Sequence, residues 1–193
     1  GRKRGSAMED QQIIELYWQR SEEAIAQTAR KYGRYCHTIA YNILQNQCDS
    51  DECVNDTYMH AWNCIPPRRP TLFSALLAAI TRNLALDRYK RDRARKRGGG
   101  QVELALDELG ECLPGGQSEE AFIENRVLTE ALNRFLASLP EQSRKIFMLR
   151  YWYLCSVGKI AQSLGLSESG VKMSLLRTRR QLKTTLQKEG IHL

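Results

Sequence analysis

Apolar side chains recur along this chain at steps of three and four, the spacing of helices that keep one face inward. Ile13, Ile14, Leu16 and Tyr17 open the first such segment. A second begins at Ser21-Glu22-Glu23 and carries Ala24, Ile25, Thr28, Ala29, Tyr32, Tyr35, Cys36, Ile39, Ile43 and Leu44. Polar residues 45–49 interrupt it. Ser50 then reads as the N-cap of "DECVNDTYMHAWNCI", with Val54, Tyr58, Ala61, Trp62 and Ile65 as its stripe. "PPRRP" at 66–70 resists helix, because each proline restricts its own φ and disfavours the α region one residue earlier. A long helix follows on Phe73, Leu76, Leu77, Ile80 and Leu84, ending in the basic run "RYKRDRARKR" and Gly98-Gly99-Gly100. No segment alternates with the period of a strand and no repeat is visible, so the expected fold is all-α.

The helical period returns from Phe122 with Val127, Leu128, Ala131, Phe135 and Leu139, up to Pro140. "EQSRKIFMLRYWYLC" forms the next helix, and "IAQSLGLSESGVKMSLLRTRRQL" follows at 160–182. There Ile160, Ala161 and Leu164 share a face, Gly165 stands where a tight turn needs positive φ, and Ser167 offers an N-cap oxygen. Val171, Leu175, Thr178, Leu182 and Leu186 make one inward stripe. Lys172, Met173, Leu176, Arg177, Arg179, Arg180 and Lys183 fall off it and face outward. A short helix, a glycine-centred turn and a second helix with a basic outer face form a helix-turn-helix pattern. A basic amphipathic helix solvated at the rim of a core is the plainer alternative.

Charge changes the picture more than composition does. The net charge is +7 and the pI about 9.2, which favours an anionic partner. Residues 1–97 are net +6 and residues 126–193 net +8, while residues 98–125 hold seven acids and no Lys or Arg. Two basic domains on an acidic connector are therefore expected, over 9–97, 98–121 and 122–193. Pro114, Gly115 and Gly116 make part of that connector a flexible tether, whereas Leu104, Leu106, Leu109 and Leu113 leave it able to dock. "GRKRGSA" ahead of Met8 reads as a disordered added leader, and residues 1–8 are set aside.

Other chemistries find little support. The longest charge-free stretch, 35–48, falls short of the roughly 20 residues a membrane span needs, and no signal peptide opens the chain. A chain without membrane insertion, acting in the cytoplasm, is expected. The six cysteines then default to free thiols, and Cys48, Cys53 and Cys64 lack C-x-x-C spacing, so no metal and no cofactor are expected. There is no G-x-x-x-x-G-K, H-E-x-x-H or nucleophile elbow, so a catalytic role is not expected. Thiol sensing by Cys48 or Cys53 stays open. So does an ordinary helix-turn-helix repressor, although that leaves the proline-rich loop and the basic long helix without a task, and the chain shows no separate dimerisation segment.

Taken together, these motifs resemble a bacterial RNA polymerase sigma factor of the extracytoplasmic-function group, which keeps the second and fourth conserved sigma regions. "SDECVNDTYMHAWNCI" is similar to the family's polymerase-binding helix, and "FSALLAAITRNLALDRYKR" to the stretch that opens and reads the minus-ten element. "LPEQSRKIFMLRYW" with "SVGKIAQSLGLSESGVKMSLLRTRRQL" resembles the region that reads the minus-thirty-five element. The resemblance implies that Asp51, Asn55, Asp56 and Thr57 meet the clamp of the largest core polymerase subunit. The flap region of the second-largest subunit, promoter DNA both duplex and melted, and an anti-sigma protein are further implied partners, with nucleoid association in the holoenzyme.

It also implies that Asn83 contacts an unpaired base, for which an amide offers donor and acceptor together, while Arg82, Arg88, Lys90 and Arg91 neutralise phosphates. The 65–72 loop lies where the family holds a flipped-out base, with Arg68 or Arg69 stacking or pairing with phosphate; a stiff helix connection is the alternative. Lys172, Met173, Leu176 and Arg177 occupy the positions that touch major-groove edges, and Arg179 and Arg180 those that bind phosphate. Three residues depart from the family's commoner choices: Leu76 replaces a frequent Trp, Ser174 a frequent Arg, and Met173 a small polar residue. They bear on which promoter is read, not on the fold. The acidic connector either mimics a polyanion inside polymerase channels or is a solvated tether.

Overall fold

A computed structural model of the chain describes residues 6–93, 100–113 and 126–191. All regular structure among them is α-helical, and the chain divides into two compact units, Gly1–Arg97 and Gly98–Leu193, as an all-α, two-domain reading requires.

The first unit holds α1 (Asp10–Trp18), α2 (Glu23–Leu44), α3 (Gln47–Cys64) and α4 (Phe73–Arg93). α2 packs against the other three, and α3 also packs on α4. Ile13, Ile14, Tyr17, Ala24, Cys36, Val54, Ala61, Ile65, Phe73 and Leu77 close the core, with Met8 packed at its edge, so the folded part begins ahead of Glu9. The buried Tyr17 hydroxyl is satisfied by Thr28 Oγ1 at 2.6 Å, as a polar group in an apolar core must be. Asp10 accepts hydrogen bonds from Lys31 Nζ and Tyr32 Oη, each at 2.7 Å, which ties α1 to α2.

The break between α2 and α3 is shorter than expected. Gln45 ends α2 in the left-handed region (φ 51°), and Asn46, not Ser50, is the N-cap of α3, accepting from the Asp49 amide at 2.9 Å. Ser50 lies inside the first turn and donates from Oγ to the Asn46 carbonyl at 2.6 Å. The Asn side chain reaches the free amide first, and the buried serine then satisfies itself against the carbonyl four residues back. The basic residues Arg95, Lys96 and Arg97 lie outside the described residues.

The second unit holds α5 (Gln101–Gly110), α6 (Arg126–Ser138), α7 (Glu141–Tyr151), α8 (Val157–Leu164) and α9 (Glu168–Lys188). α9 packs against α6, α7 and α8, and α5 packs on α7. The first half of the expected acidic tether is thus a folded helix belonging to the second unit. Val102, Ala105, Leu109, Cys112 and Leu113 are buried, whereas Leu104 points outward, 56% exposed. Residues 114–121, with the proline and two glycines, lie outside the described residues, as does Phe122.

Leu182, fully buried on α9, sits where that helix meets the rest of its unit. Leu182→Ala is expected to cost about 2–5 kcal/mol, from lost transfer energy plus the cavity left behind. Native-state hydrogen exchange on the full chain is the check: amides of α9 should lose protection while those of α2, α3 and α4 keep theirs.

Candidate nucleic-acid interface

Three local devices build the α8–α9 corner. Ser156 Oγ accepts from the Lys159 amide at 3.2 Å to cap α8. Gly165 ends that helix at φ 66°, a conformation that disfavours any side chain. Ser167 Oγ then caps α9 through the Gly170 amide at 3.0 Å. On α9 the five stripe residues Val171, Leu175, Thr178, Leu182 and Leu186 are all buried. Lys172, Met173, Arg177, Arg180 and Lys183 are left exposed, with Leu176 half-buried at their edge. Ser174 joins the buried face at 9% exposure, so this departure from the family removes no outward group.

Arg179 does not join the outward row. Its Nη1 donates to Tyr151 Oη at 2.7 Å, and Tyr151 Oη donates to Glu108 Oε2 at 2.9 Å. Arg150, only 2% exposed, reaches the other Glu108 oxygen from Nη2 at 3.4 Å and spends Nη1 on Gln101 Oε1 (3.2 Å) and the Cys155 carbonyl (3.1 Å). Gln101 completes the junction by donating from Nε2 to the Leu154 carbonyl at 2.8 Å. Burial pushes the Tyr151 phenol up, keeping its proton available to Glu108. Burial opposes the charge on Arg179, but the Tyr151 and Glu108 contacts outweigh it and hold the guanidinium more firmly charged. Glu108 therefore fastens α5 beneath α7 and α9 and engages an arginine expected to serve phosphate. Sequence reasoning assigned Glu108, Arg150 and Tyr151 no task. The signal was present in Val102, Ala105, Leu109 and Cys112, whose steps of three and four mark a buried helix face.

In the first unit, Asp51, Asn55 and Asp56 are exposed on α3, and Met59, which sequence reasoning passed over, extends the same face at 51% exposure. Asp51 Oδ1 lies 3.4 Å from His37 Nε2. Thr57 is a correction. It is fully buried, donates to the Cys53 carbonyl at 2.9 Å and meets Thr81 Oγ1 at 3.0 Å, because it falls on the Val54–Ala61 stripe that packs on α4. It is no surface for a partner.

On α4, Asn83, Lys90 and Arg91 are exposed, while Arg82 is 1% exposed between Ala78 and Ala85 on the inner face. Arg82 is a second correction, since it reaches no phosphate without leaving the core. Arg88 is bound from α3, by Asp49 Oδ1 and Glu52 Oε2 at 2.8 Å each, and the Glu52 bond leads the contacts that keep it charged against burial. In the 65–72 loop, Arg68 is exposed, and Arg69 lies 4.2 Å over the Trp18 ring and pairs with Glu15.

All six cysteines are free. Cys53 is buried, and burial first, then the Asp56 carboxylate, pushes its thiol up to about 12. It stays protonated near neutral pH and suits no redox sensor, which leaves the exposed Cys48. Among the described residues no cluster of His, Cys, Asp and Glu is placed to hold a metal, and no helix is long and apolar enough to cross a membrane.

Comparison with known proteins matches the same two stretches. Residues 28–95 fit the family model for sigma-70 region 2, and residues 129–182 the model for sigma-70 region 4. The chain is 28% identical over 149 residues to the probable RNA polymerase sigma factor RfaY of Xanthomonas campestris pv. campestris, covering 77% of this chain and 36% of that protein. It is 25% identical over 161 residues to the ECF RNA polymerase sigma factor SigE of Mycolicibacterium smegmatis, covering 83% of this chain and 61% of that one. To the RNA polymerase sigma factor NccH of Alcaligenes xylosoxydans xylosoxydans it is 29% identical over 192 residues, covering 97% and 94% of the two chains. The matched part thus spans less than two thirds of the first two relatives.

The Glu108 junction makes its own prediction. Glu108→Ala leaves Arg150 buried without its carboxylate and is expected to cost about 1–3 kcal/mol. Hydrogen exchange should show α5 amides losing protection first, ahead of α8 and α9.

Proposed function

The chain belongs to the extracytoplasmic-function group of the sigma-70 family, and from that membership we propose that it binds bacterial core RNA polymerase and directs promoter-specific initiation as a non-catalytic factor. One observation carries the reading: region 2 and region 4 stand in order in one chain, and region 4 is a helix-turn-helix with an exposed basic row.

In this reading the second unit reads the minus-thirty-five duplex. Arg177 makes a bidentate contact to guanine, Met173 packs on a thymine methyl, Lys172 and Leu176 complete the groove contact, and Arg180 neutralises phosphate. The first unit opens and reads the minus-ten element, with Asn83 on an unpaired base and Lys90, Arg91 and Arg68 on the backbone. Asp51, Asn55, Asp56 and Met59 face the clamp of the largest polymerase subunit, and region 4 meets the flap of the second-largest. An anti-sigma protein that covers both polymerase-binding surfaces is a fitting negative partner. The setting is the bacterial cytoplasm, on the nucleoid once the holoenzyme has formed. Arg82 and Thr57 have no direct part, and Arg179 braces α9 from behind.

Run-off transcription with core polymerase on a pool of randomised promoters tests this. Protein-dependent transcripts are expected to share two spaced motifs. Arg177→Ala should relax one base pair of the upstream motif by about 1–3 kcal/mol and leave the downstream motif intact. A chain that selects duplex DNA alone but neither binds core polymerase nor starts transcription is a repressor-type protein, and the proposal then fails.

A further inference from the structure

α1 ends in a Schellman motif: the Arg20 amide donates to the Tyr17 carbonyl at 3.0 Å and the Ser21 amide to the Leu16 carbonyl at 2.9 Å. The residue after the C-cap in such a motif takes left-handed backbone and is usually glycine. Here it is Arg20, at φ 55°. A side chain held in that region calls for a compensating contact, and an observed outlier of this kind is a reason to look for function. The contact is at the root of the 65–72 loop. Arg20 Nη1 donates to the Trp62 carbonyl at 2.8 Å and the Ile65 carbonyl at 3.0 Å, and its guanidinium lies 3.7 Å over the Trp62 ring. The Trp62 carbonyl belongs to the last turn of α3, where helical partners run out, and Ile65 is the C-cap from which the loop departs.

The same corner holds the loop at a second point. Trp18, the last residue of α1, lies under the Arg69 guanidinium, and Glu15, one turn earlier, pairs with it. The loop is therefore gripped at its root by Arg20 and near its middle by Trp18 and Glu15. Between the two grips Arg68 stays exposed.

We propose that the α1–α2 corner is a positioning element for base selection in the minus-ten region, with Arg20 as a positioning residue and Arg69 as a strap, so that Arg68 is the loop's cation for DNA. This rests on the reading above in which the 65–72 loop holds an unstacked base. Arg20 touches no DNA in this scheme. It sets the direction in which the chain leaves α3, and a loop that reads a base needs its backbone held to a fraction of an ångström.

The test uses holoenzyme formed from the full chain and core polymerase, selecting from randomised single-stranded deoxyoligonucleotides that span the minus-ten region. Replacing residues 68–71 by Gly-Ser-Gly-Ser first marks the base position that the loop reads. Arg20→Gly relieves the left-handed backbone while removing the guanidinium. It should keep the melting temperature and core polymerase affinity of the wild type and yet lose about tenfold of the preference at that one position. Arg20→Lys, which keeps charge and a donor, should recover part of it. Wild-type preference in Arg20→Gly, an even loss at all positions, or a fall in melting temperature tracking the loss makes Arg20 only a brace of the fold and overturns the proposal. If the loop replacement itself changes no position, the base-pocket reading falls, and this proposal with it.

Discussion

Burial of one side of α9 sets which of its side chains face outward. Val171, Leu175, Thr178, Leu182 and Leu186 lock the helix against its unit, so its rotation about its own axis is not adjustable. Lys172, Met173, Arg177 and Arg180 are outward only because those five are inward. The caps on either side of Gly165 then fix where the helix begins. An outward arginine aimed by a packed core is worth more in recognition than the same arginine on a mobile arm, because the ordering entropy is spent during folding and not during binding.

Within that frame several arginines pair with the chain's own carboxylates. Arg88 is claimed by Asp49 and Glu52, Arg69 by Glu15 and Trp18, and Arg179 by Glu108 through Tyr151. Each of these is attached to an element whose position matters: α3 on α4, the loop on α1, α5 on α9. A basic protein that left every cation solvated would bind any polyanion with strong salt dependence and no register. Pairing several cations with the chain's own carboxylates links the helices and thins the set left to an outside anion. The acidic α5 contributes to the same division, since its Glu108 pairs with Arg179 of α9.

Much of this was legible in the residues. The helical period, the Gly165 turn, the Ser167 cap and the inward stripe of α9 all follow from spacing, because local backbone chemistry and a period of 3.6 are properties of neighbouring residues. Thr57 was legible too, since it continues the Val54 and Ala61 steps; a motif resemblance drew it to the surface when its own period placed it inside. The docking of α5 was written in Val102, Ala105, Leu109 and Cys112, but the seven acids of residues 98–125 left a polyanion mimic and a solvated tether both open.

The sequence by itself determined the all-α class, the order of the two regions, the helix-turn-helix and the outward identity of Lys172, Met173, Arg177 and Arg180, since each depends on residues within a turn or two of one another. Tertiary structure alone decided which of the other arginines brace the fold. Arg20 meets carbonyls 42 and 45 residues away, Arg69 a carboxylate 54 away, and Arg179 a carboxylate 71 away. No period or propensity spans such distances. An arginine's partner is whatever the packing of distant helices brings within hydrogen-bond reach, and the same side chain serves as ligand or brace according to that contact.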